Sequence, residues 1–188
     1  YYSFGRSDKK DAPRISITAR LVADLLKTAG ATHVMSMMFH SPQVHGFFGI
    51  PTDPLSSRMV FKEYLSKLDL NGSIIVSPDM GQAKSAARFA KTLGLPVAAG
   101  NKERVSDTEV VVSGLVGNQV KGHKSALIYD DEIATGGSIL ELSRVLIEEG
   151  VEDIKVICTH GVFSRNGLGR LEVVPQISEI ITTDTVNI

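Results

Sequence analysis

Ala126-Leu127-Ile128-Tyr129-Asp130-Asp131-Glu132-Ile133-Ala134-Thr135-Gly136-Gly137-Ser138 decides the fold class of this 188-residue chain. An apolar run ends in two acids, a turn with two glycines follows, and Ile139, Leu142 and Leu146 then recur at helical spacing up to Gly150. A buried strand that hands over to a glycine turn and a helix is half of a βαβ unit. Glycine lets backbone approach a ligand closely, and the amides of Thr135 to Ser138, at a helix N-terminus, can donate to a phosphate. Asp130 and Asp131 then face whatever carries that phosphate. Two adjacent carboxylates suit a pair of sugar hydroxyls, or a hydrated metal bound to them, because each accepts several hydrogen bonds. A bare Thr-Gly-Gly-Ser is an ordinary strand-to-helix turn with Ser138 as its cap; the apolar strand and paired acids before it turn the reading toward a ligand loop.

The flanking sequence repeats this alternation. Ile15, Ala19, Val22, Leu25 and Leu26 recur at helical spacing up to Gly30, and the β-rich run Thr32 to Met37 follows. Phe61 to Leu68 reads as a helix, Ser73 to Val76 as a strand, Ala83 to Leu93 as an alanine-rich helix and Leu95 to Ala98 as a strand. A strand pair is expected at Val110 to Val112 and Ala126 to Tyr129, with further strands at Ile154 to Cys158 and Glu179 to Thr183. Continuous apolar strands alternating with helices imply a parallel sheet covered on both faces, with ligands beyond the carboxyl ends of its strands. Phe48 to Arg58, rich in Gly, Pro and Ser, reads as a connection between two α/β units. The expected domains are therefore 1–58 and 59–188.

Composition sets the outer bounds. Hydrophobic residues make up 43% and charged residues 22%, with a net charge of −1, as in a soluble globular protein and unlike an electrostatic binder of nucleic acid. No apolar run reaches the roughly 20 residues of a membrane-spanning helix. A single cysteine, Cys158, lies inside an apolar strand and reads as a core residue; with no targeting motif in view, the expected address is cytoplasmic. The chain opens on Tyr1-Tyr2 without Met, which suggests a piece of a longer polypeptide.

At Asp130 to Ser138 the sequence resembles the binding motif for phosphoribosyl diphosphate (PRPP), and four further segments narrow the likeness. Phe4-Gly5-Arg6-Ser7-Asp8-Lys9-Lys10, with Pro13 to Arg20 after it, is similar to the aromatic-X-Arg-X-Asp-basic-basic segment of the ribose-phosphate diphosphokinases (PRPP synthetases). His40-Ser41-Pro42-Gln43-Val44-His45-Gly46-Phe47-Phe48 resembles their His-X-X-Gln-hydrophobic-X-Gly-Phe-Phe signature. Val76-Ser77-Pro78-Asp79-Met80-Gly81 is similar to their Ser-Pro-Asp-X-Gly turn, and Asn101-Lys102-Glu103-Arg104 to their Lys-X-Arg loop.

The resemblance implies two phosphoribosyltransferase-like α/β domains with mainly parallel sheets, the first only partly present. It implies transfer of the diphosphoryl group of Mg-ATP to ribose 5-phosphate, giving PRPP and AMP. Lys102 and Arg104 are then the catalytic cations, in a mobile flap that closes on the transferring phosphates. Arg6, Ser7 and His40 take ATP positions, and His40 with Asp79 those of a Mg²⁺ site. Arg104, Asp130, Asp131, Ala134, Thr135, Gly136, Gly137 and Ser138 take those for ribose 5-phosphate. Of the departures, Ser7 replaces a frequent Gln, and Ala134 stands where many relatives carry Asp. A homo-oligomer, a hexamer built from dimers, is also implied. The alternatives are a PRPP-using phosphoribosyltransferase and a non-catalytic regulatory paralogue of the synthetase.

Overall fold

The stretch Ala126 to Ser138 forms the end of β6 (Ser125–Ile133) and the start of α5 (Gly137–Glu148). In the computed structural model, residues 1–104, 110–117 and 120–187 are described; for 102–104 and 110–113 the description is of the backbone alone. The chain divides into two units, Tyr1–Ser57 and Arg58–Ile188.

In the first unit, α1 (Thr18–Thr28) leads to β1 (Val34–Met37), then α2 (Pro42–His45) and β2 (Thr52–Leu55). The two strands pair in parallel, Val34 opposite Thr52 and Met37 opposite Leu55. β2 corrects the expectation of an irregular connection from Phe48 to Arg58. Pro54 lowers the strand signal there, and β2, with a single neighbour, tolerates it because a proline that cannot donate to the ladder is harmless on an edge. Tyr2, Ala19, Phe39 and Val44 form the core of this unit. Tyr2 meets the rings of Phe39 and Phe48 edge-on at 5.6 and 5.4 Å, and its hydroxyl donates to the Ala19 carbonyl.

The second unit holds a six-stranded sheet. Its remaining elements are α3 (Arg58–Leu65), β3 (Ser73–Ser77), α4 (Ala83–Leu93), β4 (Val97–Arg104), β5 (Val110–Gly117), β7 (Asp153–Gly161), α6 (Gly167–Glu172) and β8 (Ile177–Thr183). Strand order is β5-β4-β3-β6-β7-β8, parallel throughout except for the antiparallel β4/β5 ribbon. β5 thus pairs with β4 and not with β6, which corrects the expected pairing of 110–112 with 126–129. The segment from Gly100 to Arg104, expected as a polar flap, is strand: the β4/β5 ladder runs on past Ala99, the last residue of β4 opposite β3. Of that expected flap, Gly100 to Thr108, residues 105–108 lie outside the described residues.

Alternation along β6 sends its side chains into two cores. Ala126 and Ile128 join Ile139, Leu142, Leu146 and Leu171 on the α5/α6 face. Leu127 and Tyr129 join Phe61, Phe89 and Ala90 on the α3/α4 face, where the Tyr129 ring stacks on Phe89 at 4.5 Å. Both faces of the central strands are dry, which is why their sequences read as unbroken apolar runs. Cys158 is fully buried in the first of these cores.

Candidate functional site

The strand order fixes where a ligand belongs. From β3 the chain crosses through α4 to β4 on one side, whereas β6 lies against β3 on the other and leads away to β7 and β8. The reversal makes the carboxyl ends of β3 and β6 a topological switch point, the usual ligand crevice of an open α/β sheet. Val76 is opposite Ile128, so the Ser77-Pro78-Asp79 turn and the Asp130-Asp131 pair both continue into that crevice.

The turn after β3 is held by its own side chains. Ser77, fully buried, donates its hydroxyl to the Asp79 carbonyl at 2.9 Å, and Asp79 Oδ1 accepts the backbone N–H of Gln82 at 3.1 Å. Across the crevice, Asp131 N–H donates to Asp130 Oδ1 at 2.8 Å, and Asp131 Oδ1 accepts from Nε2 of Gln82 at 3.0 Å. Desolvation pushes the Asp130 carboxyl well above the ordinary carboxylate range, and the charges of Asp131 and Asp79 push it further. Three carboxyls close enough to repel one another are a concentration of negative potential that polyhydroxyl or cationic ligands relieve.

The loop between β6 and α5 is built for backbone donation. Gly136 occupies the N-cap of α5 at φ 75°, ψ −2°, so it offers no side chain to the first-turn amides. A Cβ there would lie 3.2 Å from the Gly167 carbonyl oxygen and 3.3 Å from Leu171, so glycine is required by conformation and by space. Gly167 itself comes so close that a Cβ would sit 2.6 Å from the Ala134 carbonyl oxygen. Arg170 on α6 donates from Nη1 to the Thr135 carbonyl at 2.9 Å. Helix α6, which has no sequence signal beyond glycines and short apolar spacing, therefore braces the loop from behind.

The residues expected at the nucleotide divide between the units. In Tyr1–Ser57, the loop carrying Arg6 and Ser7 lies beside His40, since a Cβ on Gly5 would come within 3.5 Å of His40 Cβ, and Ser41 donates to Asp8. The Ser7 hydroxyl donates to the Ser16 carbonyl at 3.0 Å and accepts from Thr18 N–H at 3.2 Å. It caps α1, whose own N-cap residue Ile17 has no capping side chain. In Arg58–Ile188, Lys102 and Arg104 are on β4, opposite Val112 and Val110, next to a register shift between Asn101 and Lys102. Their side chains lie outside the described residues. Sequence reading overlooked Gln82, Gly167 and Arg170: the partners of Gln82 and Arg170 are 49 and 35 positions away, and no local pattern marks them.

Comparison with known proteins agrees with this architecture. The family described as the N-terminal domain of ribose phosphate pyrophosphokinase matches residues 1–30. A ribose-phosphate pyrophosphokinase of Deinococcus radiodurans is 44% identical over 188 residues, which cover 99% of this chain and 58% of that protein. A Streptomyces coelicolor protein whose name carries the same enzyme is 50% identical over 186 residues, again 99% of this chain and 58% of the relative. The crystal structure of phosphoribosylpyrophosphate synthetase from Mycobacterium smegmatis superimposes with a TM-score of 0.89 at 36% identity, covering 100% of this chain and 60% of that one. The chain spans about three fifths of the length of these relatives. Over that span, both the sequence and the fold of the chain are similar to those of the ribose-phosphate pyrophosphokinases.

Proposed function

We propose that this protein is a ribose-phosphate diphosphokinase, converting ATP and D-ribose 5-phosphate to PRPP and AMP. The observation that carries the reading is the β6–loop–α5 junction. There two carboxyls at a strand end adjoin a helix N-terminus that no side chain caps, a donor and acceptor set matched to a phosphorylated sugar. The 1-hydroxyl oxygen of ribose 5-phosphate attacks the β-phosphorus of ATP in line. A new O–P bond forms as the bond from the β-phosphorus to the AMP oxygen breaks, and AMP leaves with that electron pair. Asp130 and Asp131 orient the ribose hydroxyls, and Ala134 to Ser138 hold the 5-phosphate through backbone amides. Arg6 and His40 engage ATP. Lys102 and Arg104 neutralise charge on the diphosphoryl group, where positioned cations lower the barrier by several kcal/mol. Alanine at 134 takes no proton, so the hydroxyl proton passes to a carboxylate of the pair or to solvent.

Magnesium fits the residues present. Mg²⁺ takes one or two carboxylate oxygens along with water and phosphate oxygens, not a full protein cage. Among the described residues no group of three or more His, Cys, Asp or Glu forms such a cage. Asp79 offers a hard oxygen donor beside the crowded carboxyl pair, and His40 is the second residue the family resemblance implies. When bound, the ion would neutralise the diphosphoryl oxygens. As the resemblance implies, we place the working enzyme in a homo-oligomer and in the cytoplasm.

Coupled detection of AMP release from ATP and ribose 5-phosphate by the full-length protein tests this directly. Mg-dependent turnover is expected, with Lys102→Ala lowering kcat by at least about tenfold, roughly 1.4 kcal/mol. No turnover refutes the reading, and a smaller loss refutes the role of Lys102. A second reading, a non-catalytic regulatory paralogue, draws on Ala134; binding of both substrates without AMP release, with modulation of a partner synthetase, would favour it.

A further inference from the structure

Gln82 takes no part in the chemistry just described, yet it bonds two of the carboxylates that do, one through its side chain and one through its backbone. Its Nε2 donates to Asp131 Oδ1 at 3.0 Å, and its backbone N–H donates to Asp79 Oδ1 at 3.1 Å. One residue thus links the turn after β3 to the end of β6 across the switch point. Its place in the fold makes the link informative. Gln82 is the N-cap residue of α4, where a polar side chain ordinarily turns back onto the first-turn amides, yet it makes no such bond. The carboxamide reaches outward to a carboxylate that is only 5% exposed. A hydrogen bond to a charged acceptor in such surroundings is stronger than one at the surface and fixes the rotamer it touches.

We propose that Gln82 is a positioning residue. Its carboxamide holds Asp131 in the orientation that receives the hydroxyls of ribose 5-phosphate, while its backbone amide separately holds Asp79 on the nucleotide side. The inference rests on the functional reading of Asp131 given above. The two arms differ in a way that experiment can use: every substitution except proline keeps the backbone amide, so side-chain variants alter the Asp131 arm alone. Their effect belongs to the sugar phosphate and not to Mg-ATP.

The test uses the full-length protein, with calorimetric binding of ribose 5-phosphate, steady-state KM values for both substrates and thermal melts. Gln82→Met keeps the length of the side chain and loses the donor. It should weaken ribose 5-phosphate binding about tenfold, with KM for Mg-ATP within about twofold and the melting temperature within about 2 °C of wild type. Gln82→Lys, whose ammonium can donate to the same oxygen, should recover at least about half of the loss on a logarithmic scale. Wild-type affinity in the Met variant overturns the proposal. So does a loss shared equally by both substrates, or an equal loss in the Met and Lys variants, either of which marks Gln82 as a fold brace only. Wild-type protein that binds no ribose 5-phosphate overturns the functional reading and this inference together, an outcome distinct from the others.

Discussion

Replacing Gly167 by Ala should injure the loop proposed to hold the 5-phosphate, through a contact measured in tenths of an ångström. Gly167 has ordinary helical dihedrals, φ −57° and ψ −40°, so alanine suffers no backbone penalty there. Helix propensity alone would make the change stabilising by about 0.8–1.0 kcal/mol. The added Cβ, however, would lie 2.6 Å from the Ala134 carbonyl oxygen and 3.2 Å from the Thr135 carbonyl carbon. The atoms in the way are backbone, and Arg170 ties the same loop at the Thr135 carbonyl, so they yield only if α6 or the loop moves. Inserting a methyl group into a closed contact costs about 1–3 kcal/mol, which outweighs the propensity gain. The expected result is a net loss of about 1 kcal/mol, a fall of several degrees in melting temperature, and ribose 5-phosphate affinity lowered at least about tenfold as the amides move off the phosphate. Gly169→Ala is the internal control. Its Cβ comes nearest to the Asn166 side chain, at 2.7 Å, which can rotate away, so propensity should win and the variant should equal or exceed wild type in stability. Differential scanning calorimetry and calorimetric titration of both variants decide the matter. A Gly167→Ala protein as stable as Gly169→Ala, with wild-type affinity for the sugar phosphate, would refute the close-contact argument.

Three further outcomes are expected. Ser7→Ala removes the hydroxyl that accepts the Thr18 amide and should cost about 1 kcal/mol of stability in urea titrations, the size of a lost N-cap; no measurable change would show that solvent replaces the bond. Burial, reinforced by Asp131 and Asp79, raises the Asp130 pKa in the fold. Its stabilising contribution is therefore complete below the unfolded carboxylate value and is lost as pH rises through the raised folded value. Melts from about pH 4 to 9 should fall over that range in wild type and stay flatter in Asp130→Asn, which should also lose ribose 5-phosphate binding; parallel profiles would disprove it. The Cys158 thiol is pushed up strongly by burial, then by the charge of Asp130, and should ignore thiol reagents at about pH 8 until the protein is unfolded. A native-state reaction as fast as that of a small thiol would contradict the burial.

Local sequence determined a good deal of this molecule. The strand, the Asp130-Asp131 pair, the glycine turn and helix α5 are contiguous, and each signal, from apolar run to turn glycine to helical period, acts over a few residues. The parallel arrangement followed from unbroken apolar strands, because only a sheet covered on both faces makes them so. The spacing of motifs also carried the family resemblance. Other features waited for the tertiary structure. β2 hid behind Pro54, since its parallel partner β1 and not its own composition makes it a strand. Strand order determined that β3 and β6 flank the switch point, and strand order is set by long-range packing. The role of Ser7 as a helix cap, the reach of Gln82 to Asp131 and the brace of Arg170 on Thr135 join residues 9 to 49 positions apart. A hydrogen bond is directional and short-ranged in space, not in sequence, so only the folded chain decides which donor meets which acceptor.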